Sequence, residues 1–266
     1  MEDSKLFPIG KDVYDVDAAP VVAKGVSLST QELEQALEAR VCGLLWDDAG
    51  HEELDELLSS VTTTAFEEDR LREVLSQEFE PEDWRVGEAL AEAYLVDHKD
   101  CQFPWPGGRD LKNPSASAAG TDLVGFQAMG TGYRFAFGEV KTSWQEQWPP
   151  SVVTSRHGLS NQIEALRDDT SLKHSLLRYL GWHANGKDWK PAFLSAAQRY
   201  LSDPSDVSLF GILVRDVEVK DLDLRSRAKA LAASCPASTS IDLRAFYLPA
   251  GVIPSLPAMA AKARGV

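Results

Sequence analysis

The chain has 266 residues, 44% of them hydrophobic, with 41 acids against 27 bases and a net charge of −14. That is enough apolar material for one large or two small domains with an ordinary core. There is no apolar run near ~18 residues, no basic and apolar leader after Met1, and only three widely spaced cysteines, Cys42, Cys101 and Cys235. These features argue against a membrane span, a disulfide frame or a zinc site, and the expectation is a cytoplasmic protein with reduced thiols.

Residues 1–28 are mixed, with short extended runs such as Val21-Val22-Ala23. Ser29 and Thr30 cap a predicted helix from Gln31 to Trp46, with Leu33, Leu37, Val41 and Leu45 at helical spacing. Asp47-Asp48-Ala49-Gly50 breaks it, and helical segments follow near 51–60 and 66–78. Pro81 and Asp83 open the next helix, so a junction is expected at 80–83, between an acidic N-terminal accessory region (1–80) and a core (81–266). The charge divides in the same place. Residues 1–100 carry 26 acids and 8 bases, net −18, and residues 101–266 carry 15 acids and 19 bases, net +4. The acidic part either solubilises the chain, binds a basic partner, or shields the remainder from nucleic acid.

An extended piece, Cys101 to Pro106, and a small-residue loop, Asn113 to Gly120, lead into the most informative stretch. Leu123 to Met129 and Tyr133 to Val140 read as two strands joined at Gly130-Thr131-Gly132, with Tyr133, Phe135 and Phe137 in strand period. Asp122 enters the first strand and Glu139 leaves the second, so an antiparallel pairing makes them neighbours. Lys141, two residues on, shares the face of Glu139. Acid-x-Lys also occurs at Asp97-His98-Lys99, Asp188-Trp189-Lys190 and Glu218-Val219-Lys220. None of those has a hairpin that returns a second acid. Oxygen ligands of this kind suit Mg²⁺ or Mn²⁺.

Beyond the hairpin, Trp144 and Trp148 either stack on bases or pack, and His157, in a loop with Arg156, either contacts a phosphate or faces solvent. Residues 171–203 form a helical insertion with Lys173, Arg178, Lys187, Lys190 and Arg199, either a nucleic-acid clamp or a polar helix face. Val207 to Arg215 is a buried-type strand, Asp221 to Ala233 a basic helix, and Ile241 to Leu248 a last strand. The Pro/Ala-rich tail from Pro249 is expected to be loose.

Asp122, the hairpin and Glu139-Val140-Lys141 resemble the catalytic core of the PD-(D/E)XK, or restriction-endonuclease-like, nuclease superfamily. The helix from Trp84 to Leu95 is similar to the family's helix before the hairpin, which often bears a Glu, here Glu88. Ser160 to Arg167 is similar to the helix after it, which often bears a Gln, here Gln162. The chain departs from the name motif in having Thr121, not Pro, before Asp122.

The resemblance implies an α/β fold with a central mixed sheet flanked by helices. It implies Mg²⁺ held by Asp122, Glu139, the Val140 carbonyl and Glu88, and Lys141 helping to activate water. Glu88 on its own spacing is equally a solvated helix face, with Glu92 beside it. The implied substrate is nucleic acid, DNA in preference to RNA. The acidic N-terminal module before a nuclease core is similar in layout to effector subunits of bacterial antiphage defence systems, among them the Hachiman-type nuclease subunit that works with a helicase. A nuclease-fold subunit with mainly a structural or interaction role, and an unrelated α/β binding protein, are the alternatives.

Overall fold

A computed structural model describes residues 6–76, 81–110 and 120–265 of the protein. It begins with two strands, β1 (Lys11–Asp15) and β2 (Val22–Ser27), and a helix made of α1 (Thr30–Ala36), a π segment (Leu37–Val41) and α2 (Cys42–Leu45). Helices α3 (Asp48–Ser59), α4 (Ala65–Leu75) and α5 (Asp83–His98) follow. Then come β3 (Cys101–Gln102), β4 (Leu123–Met129), β5 (Gly132–Ser143), α6 (Ser151–Thr154), α7 (Leu159–Asp168), α8 (Thr170–His183) and α9 (Lys190–Ser202). The chain closes with β6 (Val207–Arg215), α10 (Arg225–Ala233), β7 (Ser240–Tyr247) and α11 (Leu256–Arg264).

The strands form one mixed sheet in the order β1-β2-β7-β6-β5-β4-β3. Strands β2, β7, β6 and β5 run parallel, and β1, β4 and β3 pair antiparallel at the edges. Every residue of β6 is buried, as expected of a central parallel strand covered on both faces. Its alternation divides the core. Leu209 and Leu213 join Phe135, Phe137, Ile163, Leu180 and Tyr200 beneath α7, α8 and α9. Phe210, Ile212 and Val214 join Val140, Leu33, Leu37, Val86 and Leu90 beneath α1 and α5. The expected α/β class, a mixed sheet with helices on both sides, is the observed one.

Two expectations are corrected here. The boundary at 80–83 does not separate the N-terminal region from the core. β2 lies inside the sheet, paired with β7, and Phe7, Val26, Leu33, Leu37 and Val41 are buried with α5. Among the described residues of this region only α3 and α4 stand outside, and neither contains a buried residue. The acidity is concentrated there, with nine acids and two bases between Asp48 and Leu75. The tail is not loose either. Ile253, Leu256 and Ala260 are buried in the same core as α5. Pro257 falls in the first turn of α11, where its missing N–H costs no hydrogen bond. Most of the predicted small-residue loop lies outside the described residues.

The arm formed by α3 and α4 is fastened at its base. Asp47, a left-handed N-cap, accepts from the Gly50 amide and from the Arg109 guanidinium, at 2.6 Å from Nε. Lys187 donates to Glu53 at 2.8 Å, and Arg264 pairs with Asp48 at 2.7 Å. Leu57, Val61, Phe66 and Val74 remain exposed along the arm.

Candidate active site

The hairpin places its acids as the strand period demands. The register runs from Met129 opposite Gly132 to Leu123 opposite Gly138, closed by a two-residue turn in which Gly130 takes φ +53°. The ladder ends at Leu123. From Glu139 onward β5 continues beside β6 alone, so β4 and β5 part at this point. Asp122 lies one step beyond the last pair. Its Oδ2 accepts from the backbone N–H of Val140 at 2.7 Å, which closes the notch.

Glu139 and Lys141 point to the face that carries Phe135 and Phe137. Lys141 Nζ donates to Glu139 Oε1 at 2.5 Å. Glu139 is only 2% exposed, and its Oε2 is buried with no hydrogen-bond partner among the described residues. A buried carboxylate oxygen left unpaired costs about 1–3 kcal/mol or more, so this atom is out of place unless something cationic belongs beside it. The decoy tripeptides lack this property. Glu218 is 71% exposed, and Asp97 pairs with Arg40.

Helix α5, packed on the other face of the sheet, brings Glu88 within electrostatic reach of Asp122, Lys141 and Glu139. It presses on β5 so closely that a Cβ on Gly87 would lie 2.1 Å from Thr142 Oγ1. Glu88 is half-buried, which removes the reading of a solvated helix face. Burial, then the charge of Asp122, pushes its carboxyl up to about 8. Burial and Asp122 likewise push Glu139 up to about 7, against the pull of Lys141. Asp122 is raised by burial, with Lys141 and the Val140 amide opposing. Three carboxylates that resist ionising together are a poor way to stabilise a fold and a good way to hold a hard cation. The donor set of carboxylates with a nearby lysine fits Mg²⁺ or Mn²⁺. Among the described residues no group of three or more His, Cys, Asp or Glu side chains is placed to hold a metal ion by itself.

Not every predicted residue joins this group. Gln162 sits on α7 next to the buried Ile163, half-buried, and no hydrogen bond ties it to the carboxylates among the described residues. His157 is exposed in the turn before α7. Trp144 is exposed, so packing does not account for it, whereas Trp148 is half-buried and donates through Nε1 to the Glu218 carbonyl.

Two features escaped the sequence reading. Arg215, fully buried, donates to the carbonyls of Ser143, Gln145 and Gln147 and pairs with Asp223, so it pins the loop after β5. An arginine ending an otherwise apolar strand was the available signal.

The other missed feature is the burial of Glu92, one turn beyond Glu88. Burial, then Asp47, pushes it up to about 7, Arg40 opposing. The folded chain thus keeps a proton that the unfolded chain releases from about 4.5 upward. Stability is lost as pH rises through that window. Glu92→Gln is expected to be more stable than the parent at pH 8 by about 2–3 kcal/mol, with the difference vanishing near pH 4. Denaturant midpoints at the two pH values check this, and an unchanged or lowered midpoint at pH 8 contradicts it.

Compared with known proteins, the chain matches no family model and no curated protein significantly.

Proposed function

We propose that this chain is a metal-dependent nuclease of the PD-(D/E)XK type, cutting phosphodiester bonds of DNA or, less favoured, RNA. The supporting observation is the notch where β4 leaves β5. It gathers Asp122, Glu139, Lys141 and Glu88 and leaves Glu139 Oε2 buried without a partner. Asp122, Glu139, the Val140 carbonyl and Glu88 are the groups that would hold a divalent ion, which would neutralise charge at the scissile phosphate and make a water more acidic.

The chain's own groups do the rest. Asp122 keeps one oxygen on the Val140 amide, which fixes the carboxylate, and among the described residues its other oxygen accepts no hydrogen bond. Burial pulls the Lys141 ammonium down, but Glu139, Asp122 and Glu88 outweigh it and hold the side chain above its ordinary value. Lys141 therefore keeps its proton. It acts as a positive charge on the nucleophile or the phosphate and is not the base.

The assay is incubation of the purified chain with plasmid, linear and single-stranded DNA and with RNA, in Mg²⁺, Mn²⁺ or chelator. Cleavage that needs the metal supports the reading. Absence of cleavage on every substrate, with the partner protein supplied, overturns it.

Because Asp122 and Glu139 each commit an oxygen inside the protein, the free chain should bind Mg²⁺ weakly, at about millimolar Kd. A cleavage-resistant oligonucleotide should tighten it, since phosphate oxygens complete the shell. Calorimetry with and without the oligonucleotide measures this. Tight Mg²⁺ binding by free protein, unaffected by Asp122→Asn, contradicts it.

A second reading, a nuclease-fold subunit of a larger assembly, draws on the arm. Its acidic helices carry exposed Leu57, Val61, Phe66 and Val74, a surface suited to a protein partner. A helicase in an antiphage system is the partner that the layout resemblance implies. Both readings hold together if the partner delivers the substrate.

A further inference from the structure

The loop that Arg215 pins forms one wall of a cleft of about 460 Å³ at the carboxyl ends of β5, β6 and β7. In an open sheet with parallel strands this is where ligands settle. Trp144 and Trp148 enter from the end of β5, Asp216 from the end of β6, and Gly251 from beyond β7. Glu146 and Glu218 complete the polar lining, so among the described residues the cleft is lined by three acids and no base, with Lys220 at its rim. Asp216 is 3% exposed. Its Oδ2 accepts from the Ile253 amide, while Oδ1 has no hydrogen-bond partner among the described residues. Trp144 is 55% exposed, and among the described residues no ring or cation covers it.

The rim already displays the chemistry. Lys220 Nζ lies 3.7 Å from the centre of the Trp148 ring and 2.8 Å from a Glu218 oxygen. An indole face and a carboxylate thus hold one ammonium of the chain itself. Trp144 offers a second indole with Glu146 nearby and no internal cation. Phosphate is repelled by such a lining, and a small hydrated metal ion gains little from an indole. A guanidinium or alkylammonium gains from both kinds of group. Arg215 holds the loop in advance through three carbonyls, so binding does not have to order it.

We propose that the Trp144–Asp216 cleft binds an organic cation, a guanidinium or alkylammonium group. The cleft and its ligand stand apart from the cleavage reading, and neither depends on metal at Glu139.

The test is calorimetric titration of the full chain at low salt with N-acetyl-arginine amide, with spermidine and with a hexa-arginine peptide. Trp144→Ala and the double variant Glu146→Gln/Glu218→Gln are measured alongside, after circular dichroism matches them to the parent. Saturable binding weakened on the order of tenfold by each variant is expected. Binding confined to the peptide identifies a side chain of a protein partner, and binding of spermidine or the amide identifies a free small cation. No saturable binding of any of the three at about 10 mM overturns the proposal. So does binding that both variants keep in full, which moves the cations to the acidic arm. Deoxyguanosine monophosphate binding more tightly than the cations, in a manner lost with Trp144→Ala, overturns it in favour of base stacking.

Discussion

Glu139→Gln and Lys141→Ala are each expected to lower Mg²⁺-dependent cleavage by on the order of a thousandfold without unfolding the chain. Glu139 contributes the unpartnered Oε2 that suits a metal, and Lys141 contributes the cation nearest to it. The two changes should differ in stability, and that separates a site from a structural ion pair. Glu139 is held near 7 instead of its ordinary 4.5, so its folded form loses stability as pH rises across that interval. The neutral Gln removes the penalty, and at pH 8 the variant should melt higher than the parent, by about 1–3 kcal/mol. Lys141→Ala removes the ammonium paired with Glu139 and leaves three carboxylates to repel each other, so it should melt lower at the same pH. Cleavage time courses and denaturant midpoints at pH 5 and pH 8 test both parts. Full cleavage by the Glu139→Ala/Lys141→Ala double variant would sink the assignment.

The second large effect concerns the N-terminal region. Deleting residues 1–80 should destroy the fold, because it takes β1 and β2 from the sheet and Phe7, Leu33, Leu37 and Val41 from the core. Single buried residues of this size are worth about 2–5 kcal/mol each, and total stability is about 5–15 kcal/mol. The expected product is insoluble or without a cooperative transition. Replacing residues 48–80 by a short Gly/Ser linker removes only the arm and should leave the transition in place.

That variant isolates the electrostatic question. It sheds the eleven acids and two bases of residues 48–80, and it frees Lys187 and Arg264 from Glu53 and Asp48. Nucleic-acid binding should strengthen severalfold at low salt, and the gain should fade near ~0.3 M salt, where the screening length is short. Binding by fluorescence anisotropy across salt concentrations measures it. A folded variant that binds no better at low salt refutes shielding and leaves the arm as a partner surface.

The hairpin was legible because everything that builds it is local. A turn glycine, a period of two and an acid at each outer end specify the pairing without help from the remainder of the chain. The N-terminal strands were not assigned because their partner is remote. Val22–Ser27 pairs in parallel with residues 242–247, and no local pattern announces such a pairing. Pro81 and the change in charge were strong punctuation, but they mark the root of an arm and not a domain edge. Prolines misled again in the tail, where Pro257 opens a helix that the core needs. Glu88 and Glu92 look solvated by spacing alone. Their burial follows from Gly87 and its alanine neighbours letting α5 settle onto β5.

The two-residue turn at Gly130-Thr131 has a reach beyond its own size. It counts out the register that sets Asp122 beside Glu139, seven residues further along β4, about 25 Å away at strand rise. One residue added to the turn would either be absorbed as a bulge or carry the count to the far end. There it would bring Asp122 level with Val140, whose side chain lies on the other face of the sheet. The distal tip of the hairpin is thus the gauge against which the reactive end is cut, and its length should tolerate change less well than an exposed turn ordinarily does.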